Sequence, residues 1–272
     1  MKLIDSKVDV IKQLSGLEGA YKQIELAGRT CYKSEDKITE DSAKQFVDRM
    51  IKSGHGAMLE HGTVYLEIPY SETAEYNNIF LKYYKNPYSR FGWKDKDSLN
   101  VLHITTNLRV IIENGWEDDL KYICEPTKYH EKRITVRFTC DRGVSHEFVR
   151  HRVFSFAMES QRYCNYSKDK FNNEITFIKP TWFDDERAKD NESPECRFID
   201  SLDSYSVDYF RLLQLGLKPQ EARGILPNAT KTELVMTGFR SDWDHFFELR
   251  CSTAAHPDAK KLADELKEII DK

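Results

Sequence analysis

The sequence lacks any hydrophobic run long enough to cross a membrane. No segment approaches the roughly 18 consecutive apolar residues that a transmembrane helix needs, and residues 1–10 lack the apolar core of a signal peptide. The six cysteines are scattered, with no Cys-x-x-Cys pair. This spacing disfavours both a zinc site and a disulfide framework. We therefore expect a cytoplasmic protein with free thiols, no metal and no membrane partner.

The sequence also has no excess of basic charge. It contains 41 Lys and Arg residues against 45 Asp and Glu residues, a formal net charge of −4. General affinity for nucleic acid needs a basic surface that neutralises phosphates, so we expect no nucleic-acid partner. Internal repeats, low-complexity tracts and flexible linkers are missing as well. The simplest expectation is one domain spanning residues 1–272.

Glycine-rich nucleotide loops are missing too. Gly54-His-Gly56 has no third glycine at the spacing of a dinucleotide-binding turn, and no Walker loop occurs. Motifs of common nucleotide folds therefore predict no dinucleotide. Any phosphate site must be local and must depend on a few arginines.

Apolar periodicity predicts an α+β protein with a central, mainly antiparallel sheet flanked by helices. Helical spacing occurs around 43–51, 198–213, 241–250 and 259–270, and alternating patterns predict strands at 63–69, 134–140, 175–178 and 232–238. We expect Ser145 to cap a helix after the second of these strands. Residues around 76–116 are interpreted as an insertion with one helix and an extended segment near 104–112. Beyond Ser155 the periodicity is lost.

The most informative segment is Arg150–Tyr163, which places three arginines, one histidine and two serines within fourteen residues. Guanidinium groups stay charged at neutral pH and match the oxygens of phosphate or carboxylate. Phe154 and Phe156 lie between them. This mixture indicates an anionic ligand that carries a flat ring.

Three other positions are candidates for a ligand site. Arg250 shares a helix face with aromatic residues, which predicts a buried partner or an anion, although an arginine at the edge of a core helix is the alternative. Arg223 is equally compatible with a solvated position on a short helix. The loop from His55 to His61 contains two histidines and a carboxylate, but a third metal ligand is unclear.

Together these segments resemble flavin-dependent thymidylate synthases. The signature Arg-His-Arg, two residues, Ser, four residues, Ser, one residue, Arg fixes six positions between Arg150 and Arg162. The resemblance implies FAD bound by a non-Rossmann fold, and conversion of dUMP to dTMP with methylenetetrahydrofolate as carbon donor and NADPH as reductant. It also implies a homotetramer whose active sites are shared between subunits, without an obligatory enzyme nucleophile.

The resemblance assigns residues to two ligands, with Arg250 as the catalytic residue beside the uracil ring. The dUMP set comprises Glu147, Arg150, Met158, Glu159, Ser160, Gln161, Arg162, Arg223 and Arg250. The FAD set comprises His55, Ala57, Arg150, His151, Arg152, Met158, Phe239, Arg240, Ser241 and His245.

Two departures from the family pattern affect these assignments. Ala157 and Met158 stand where some members have Asn-Glu, and the chain is one residue longer after Arg240 than some relatives. Ser160 activated by His151, or Cys164 beside a basic segment, is an alternative nucleophile. A flavin reductase and an RNA- or nucleotide-binding module are the alternative functions.

Overall fold

The computed structural model describes residues 1–69, 71, 73–95, 98–168 and 171–272. The helices in these ranges are α1 Gly16–Tyr32, α2 Ser42–Lys52, α3 Gly56–Leu59, α4 Ala74–Tyr84, α5 Leu108–Asn114, α6 Arg142–Phe148, α7 Pro194–Gln214, α8 Pro219–Ala222, α9 Arg240–Arg250 and α10 Pro257–Ile270. The strands are β1 Lys2–Ile4, β2 Lys7–Ile11, β3 Thr63–Pro69, β4 Arg90–Asp95, β5 Ser98–Asn107, β6 Arg133–Asp141, β7 Ser155–Met158, β8 Thr176–Ile178 and β9 Lys231–Phe239.

Two antiparallel sheets organise the fold. The larger has the strand order β2-β6-β9-β7, and the smaller has the order β3-β5-β4. In the larger sheet Arg133 pairs with Phe239 and Asp141 pairs with Lys231, so β6 and β9 run side by side over their full length. Strands β1 and β8 form a separate parallel pair. The α+β class and the mainly antiparallel pairing are therefore confirmed.

The larger sheet is covered by helices on both faces. Leu234 and Met236 of β9 point into a core that is completed by α6, α9 and α10. Val235 points the other way and packs with Ala27 of α1 and Ala157 of β7. Successive strand residues face opposite sides, so β9 is apolar on both. The smaller sheet has its own core with α2, α4 and α5.

Most of the predicted elements are confirmed, and one predicted cap is wrong. The helix after β6 begins at Arg142 rather than beyond Ser145, because the Asp141 carboxylate accepts a hydrogen bond from Val144 N at 2.7 Å. Ser145 instead donates its hydroxyl to the Arg142 carbonyl at 2.8 Å. Asp and Ser both cap helices. Because β6 ends at Asp141, the helix begins directly after it and Asp141 is the cap.

Three further segments differ from the sequence-based expectation. Residues 104–107 are extended within β5, but residues 108–114 form α5, whose first turn is capped by Asn107. The loop after His55 contains the helical turn α3. Ser155–Met158, where periodicity is lost, is the strand β7 at the edge of the larger sheet. The alternation of this strand is too short to stand out in the sequence.

No helix in the described ranges combines the length and the apolar character of a membrane span. The six cysteines are present as free thiols.

Candidate functional site

Arg250 occupies the last position of α9 and is fastened to α6. The same helix buries Trp243, Phe246 and Phe247, which fixes the face on which Arg250 lies. One terminal nitrogen of Arg250 donates to the Glu147 carboxylate, and the other donates to the Glu147 carbonyl at 2.7 Å. The guanidinium side chain is only 14% exposed. These two hydrogen bonds hold the Arg250 guanidinium in a fixed position.

His151 completes this group as a neutral acceptor. Arg250 Nε donates to His151 Nε2 at 2.9 Å, so the proton of the neutral ring is on Nδ1. Burial, followed by the charges of Arg250 and His245, lowers the pKa of His151 to about 4. The rings of His151 and His245 lie 6.4 Å apart. We call Glu147, His151, His245 and Arg250 the Arg250 cluster.

A cavity of about 460 Å³ lies beside residues 152–155, which directly follow His151 in the Arg150–Tyr163 segment. Arg152, Ser155 and Phe239 line it together with Arg133. Arg133 donates to the Glu60 carbonyl at 2.8 Å, and its Nε is buried without a hydrogen-bond partner in the described residues. Burial lowers the pKa of Arg133 to about 10. A buried cation with an unused donor makes this space, the Arg152 cavity, receptive to an acceptor group.

The His55 loop borders the same cavity. A Cβ atom on Gly56 would lie 2.6 Å from Glu113 Oε1, and Glu113 is a lining residue. A larger residue at position 56 would require the flexible Glu113 side chain to shift. His55 and Ala57 on either side are exposed. Within the loop, Glu60 lines the cavity, whereas His55 and Ala57 are not among its lining residues.

His61 lies apart from His55 and takes part in an internal network. Its Nδ1 is 2.8 Å from Thr237 Oγ1, which lies 2.9 Å from Thr135 Oγ1. Burial, and then the charge of Arg133, lower the pKa of His61 to about 3. The ring is neutral at physiological pH and its role here is structural.

The third group is the Ser160 loop, residues 159–162. Ser160 N donates to the Cys31 carbonyl at 2.9 Å, which ties the loop to the C-terminal end of α1. Arg162 N lies 3.4 Å from Ser160 Oγ, and the Arg162 side chain is exposed above the Tyr163 ring. The Ser160 hydroxyl therefore accepts from the Arg162 backbone, while the Arg162 guanidinium lies at the surface.

Four charged side chains, of which Glu159 is buried and the others are partly buried, anchor this loop. Glu159 is 2% exposed and accepts from Lys231 at 2.9 Å, while Glu233 lies 2.7 Å from both Lys231 and Lys33. Burial alone would raise the pKa of Glu233, but the two lysines outweigh it and lower this pKa to about 2. The carboxylates raise the pKa of Lys231 against the effect of burial. The Glu159 carboxylate thus serves as an anchor beneath the loop.

The remaining predicted residues occupy varied positions. Arg150 and Arg152 are exposed, and Met158 packs against the larger core. Arg240 pairs with Asp244 and Asp271, and Ser241 Oγ donates to Glu131 at 2.5 Å.

The predicted residues thus assemble in separate places within one chain. The Arg250 cluster lies on the face covered by α6 and α9, whereas the Ser160 loop is tied to α1 on the other face. In the part of the chain that the structure describes, no hydrogen bond or ion pair joins Arg162 to Arg250, or Ser160 to His151. The proposed Ser160–His151 pair is therefore not formed within the chain.

Sequence reasoning missed several charged residues that shape these sites. They are Lys33, Arg133, Arg142, Lys231 and Glu233. Their partners lie far away in the sequence; Glu60 and Arg133, for example, are 73 positions apart. No local pattern marks them.

Comparison with known proteins identifies the family. The sequence profile described as thymidylate synthase complementing protein matches residues 129–272, more than half of the chain. The chain belongs to this family. The matched stretch contains the Arg250 cluster and the Ser160 loop, and the His55 loop lies outside it.

Curated relatives of the family carry the name flavin-dependent thymidylate synthase. The protein from Pyrococcus furiosus is 32% identical over 189 residues, which cover 67% of this chain and 74% of the relative. The protein from Geobacter sulfurreducens is 29% identical over 129 residues, covering 47% and 52%. That from Corynebacterium glutamicum is 32% identical over 141 residues, covering 46% and 51%. Against the last two, the chain spans about half the length of the relative.

One solved structure is similar over most of its length. It is a UMP/dUMP methylase from Streptomyces cacaoi bound with 5-Br dUMP, 16% identical, with a TM-score of 0.44 and coverage of 99% of this chain and 92% of that one.

Proposed function

We propose that this protein methylates dUMP to dTMP, with methylenetetrahydrofolate as carbon donor and bound FAD reduced by NADPH. One observation carries the proposal beyond family membership. A partly buried guanidinium, Arg250, is held in a fixed position by Glu147 and by a neutral His151. A fixed cation beside a pyrimidine would stabilise the negative charge that develops on the ring.

The residues around the Arg152 cavity fit a flavin. Phe239 contributes an aromatic ring to the lining, Ser155 a hydroxyl, and Arg133 an unused buried donor. Arg152 and Glu60 of the His55 loop line the same space. A volume of about 460 Å³ is within the usual range for ligand sites. A reduced flavin bound here would supply the hydride, and the chain would supply orientation and electrostatics.

The Ser160 loop fits the phosphate end of dUMP. The loop contains the Ser160 hydroxyl and the exposed Arg162 guanidinium, and Arg223 is the further arginine that the resemblance assigns to the nucleotide. Hydrogen bonds from charged donors to phosphate are among the strong ones. Binding at this end would fix the distance between the uracil ring and Arg250.

The active enzyme is proposed to be a homotetramer with shared sites. The Arg250 cluster and the Ser160 loop lie on opposite faces of the larger sheet, so one chain does not join them. A second copy that presents its Ser160 loop to the Arg250 cluster would complete the nucleotide site.

Among the described residues, neither Cys164 nor Ser160 is prepared to act as a nucleophile. Cys164 is fully buried, and Ser160 has no hydrogen bond to a histidine among the described residues. A serine needs an adjacent base to attack. The proposal therefore assigns no covalent enzyme intermediate to the reaction.

The test is release of tritium from [5-³H]dUMP by the purified protein with FAD, NADPH and methylenetetrahydrofolate. We expect release and equimolar dTMP from the parent, loss of both from Arg250→Ala, and no change in Arg137→Ala, an arginine on β6 that faces Asp9. NADPH oxidation without dTMP would support a flavin reductase instead. Absence of bound flavin would overturn the proposal.

A further inference from the structure

Arg142, the first residue of α6, has a guanidinium with an unused buried donor. Its Nη1 is buried and has no hydrogen-bond partner in the ranges that the structure describes. Its backbone N donates to the Asn228 carbonyl at 2.8 Å, so the residue is firmly placed. A buried donor without an acceptor costs about 1–3 kcal/mol. This position therefore favours binding of an acceptor from outside the chain.

A second cation lies nearby. Arg223 begins the segment that leads to Asn228, and its charge, after the effect of burial, contributes to lowering the pKa of Arg142. Neither guanidinium forms an ion pair within the described residues. Glu159 is the neighbouring carboxylate, but it already accepts from Lys231 at 2.9 Å. Two neighbouring cations thus lack a counterion.

Two buried polar side chains line the same region. Gln161 is 6% exposed and Tyr166 is 5% exposed. The Gln161 amide lies beside the Tyr166 hydroxyl without a hydrogen bond of good geometry, and Gln161 Nε2 and Tyr166 Oη both remain without partners. Tyr166 packs in one core with Ala222, the residue before Arg223, and is also a neighbour of Arg142. Buried polar groups are normally satisfied, so this concentration of unused donors requires a reason.

We propose that Arg142, together with Arg223, Gln161 and Tyr166, forms an oxyanion pocket that binds the phosphate of the nucleotide substrate. The inference rests on the proposed function and deepens it, because it adds Arg142 and Tyr166 to the residues that recognise the phosphomonoester. A phosphate dianion accepts several hydrogen bonds and balances two guanidinium charges. The adjoining Ser160 loop would close over the same group.

The experiment compares Arg142→Gln with the parent in the full-length, flavin-loaded protein. Calorimetric titration with dUMP and with deoxyuridine separates the phosphate from the rest of the nucleotide. We expect the Kd for dUMP to rise roughly tenfold to a hundredfold, as for loss of a charged hydrogen bond. Deoxyuridine binding and flavin content should not change. Arg137→Gln, a matched change on β6, should behave as the parent.

Two further variants test the inference in case Arg142→Gln does not fold. Arg142→Lys keeps the charge and should recover part of the dUMP affinity. Tyr166→Phe removes one oxygen and should weaken dUMP binding roughly threefold to tenfold. Should Arg142→Gln fail to fold, the dUMP-to-deoxyuridine affinity ratio of these two variants decides the matter. A ratio equal to that of the parent would overturn the inference.

The remaining outcomes separate this inference from the proposed function. If Arg142→Gln binds dUMP as tightly as the parent, the oxyanion pocket is wrong while dTMP synthesis stands. If it weakens dUMP and deoxyuridine equally, Arg142 only supports the fold and the inference fails. If it loses FAD instead, the phosphate bound there belongs to the flavin, which also overturns it. If the parent makes no dTMP, binding of inorganic phosphate by the parent and not by Arg142→Gln would still support an oxyanion pocket.

Discussion

Arg250 donates from both terminal nitrogens to Glu147, reaching its carboxylate and its backbone carbonyl, and thereby joins the last turn of α9 to the last turn of α6. The backbone bond does not depend on the side chain at position 147. The two halves of this contact can therefore be separated by substitution.

Glu147→Leu is expected to destabilise the fold more than Glu147→Gln. Leucine leaves the partly buried Arg250 without its carboxylate, at a cost of about 1–3 kcal/mol, whereas the glutamine oxygen can still accept. Urea unfolding at pH 7.5 measures both changes. Equal losses of unfolding free energy in the two variants would show that the hydrogen bond to the side chain at position 147 contributes little to stability.

Lys231→Met is expected to cost about 3 kcal/mol of unfolding free energy, because it leaves the buried Glu159 without its direct partner. Lys231→Met combined with Glu159→Leu should recover most of that loss. Lys44→Met, which removes an exposed pair with Asp48, serves as control and should leave stability unchanged. A loss in the double variant equal to the sum of the single losses would contradict a coupled pair.

Acidification should destabilise the protein through His61. Its pKa falls from 6.5 to about 3 on folding, so the unfolded chain takes up the proton first as the pH drops. Stability is then present above about pH 6.5 and is lost progressively toward pH 3, with a loss of about 2 kcal/mol at pH 5 from this group alone. His61→Asn should therefore lie closer to the parent at pH 5 than at pH 8. Urea unfolding at both values tests this, and a constant difference would contradict it.

Gly238→Ala is expected to disturb the Arg152 cavity. A Cβ at this position of β9 would lie 2.4 Å from Phe154 Cδ1, and Phe154 packs edge-on against Trp243 with ring centroids 4.5 Å apart. Overpacking of this kind costs about 1–3 kcal/mol. We expect a lower melting temperature and weaker flavin retention, and Phe154→Leu in the same chain should restore part of both. An unchanged melting temperature would show that Phe154 can move freely.

Ser160→Ala is expected to raise the KM for dUMP while turnover remains measurable, since the hydroxyl contributes binding rather than attack. Steady-state kinetics with tritium release provides the comparison. Complete loss of turnover with dUMP still bound would indicate a covalent role. Ser201→Ala, on an exposed face of α7, is the matched control.

The sequence alone predicts those parts of the fold that depend on local periodicity. The pattern of Trp243, Phe246 and Phe247 correctly places Arg250 on the buried face of α9. The competing caps Asp141 and Ser145 are not distinguishable in this way, because the end of β6 sets the start of α6.

The sequence predicts few of the ion pairs and buried charges of the fold. The signature predicts Arg150 to Arg162 as a ligand segment, yet it does not reveal that Glu159 is anchored to Lys231, 72 positions away. It also does not show that Arg142 is buried with an unused donor. Such pairs arise only when β6, β7 and β9 assemble, so tertiary geometry was needed to find them.

The arrangement of the larger sheet bears on how the chain can be divided. Strand β2 forms the edge beside β6, and α1 covers Val235 and Ala157, so residues 129–272 depend on two elements that precede them. A truncated fragment starting at residue 129 would leave β6 with an unpaired strand edge and would expose the apolar surface around Val235 and Ala157. Both features favour aggregation during recombinant expression. Any minimal version of this protein has to retain its first 32 residues.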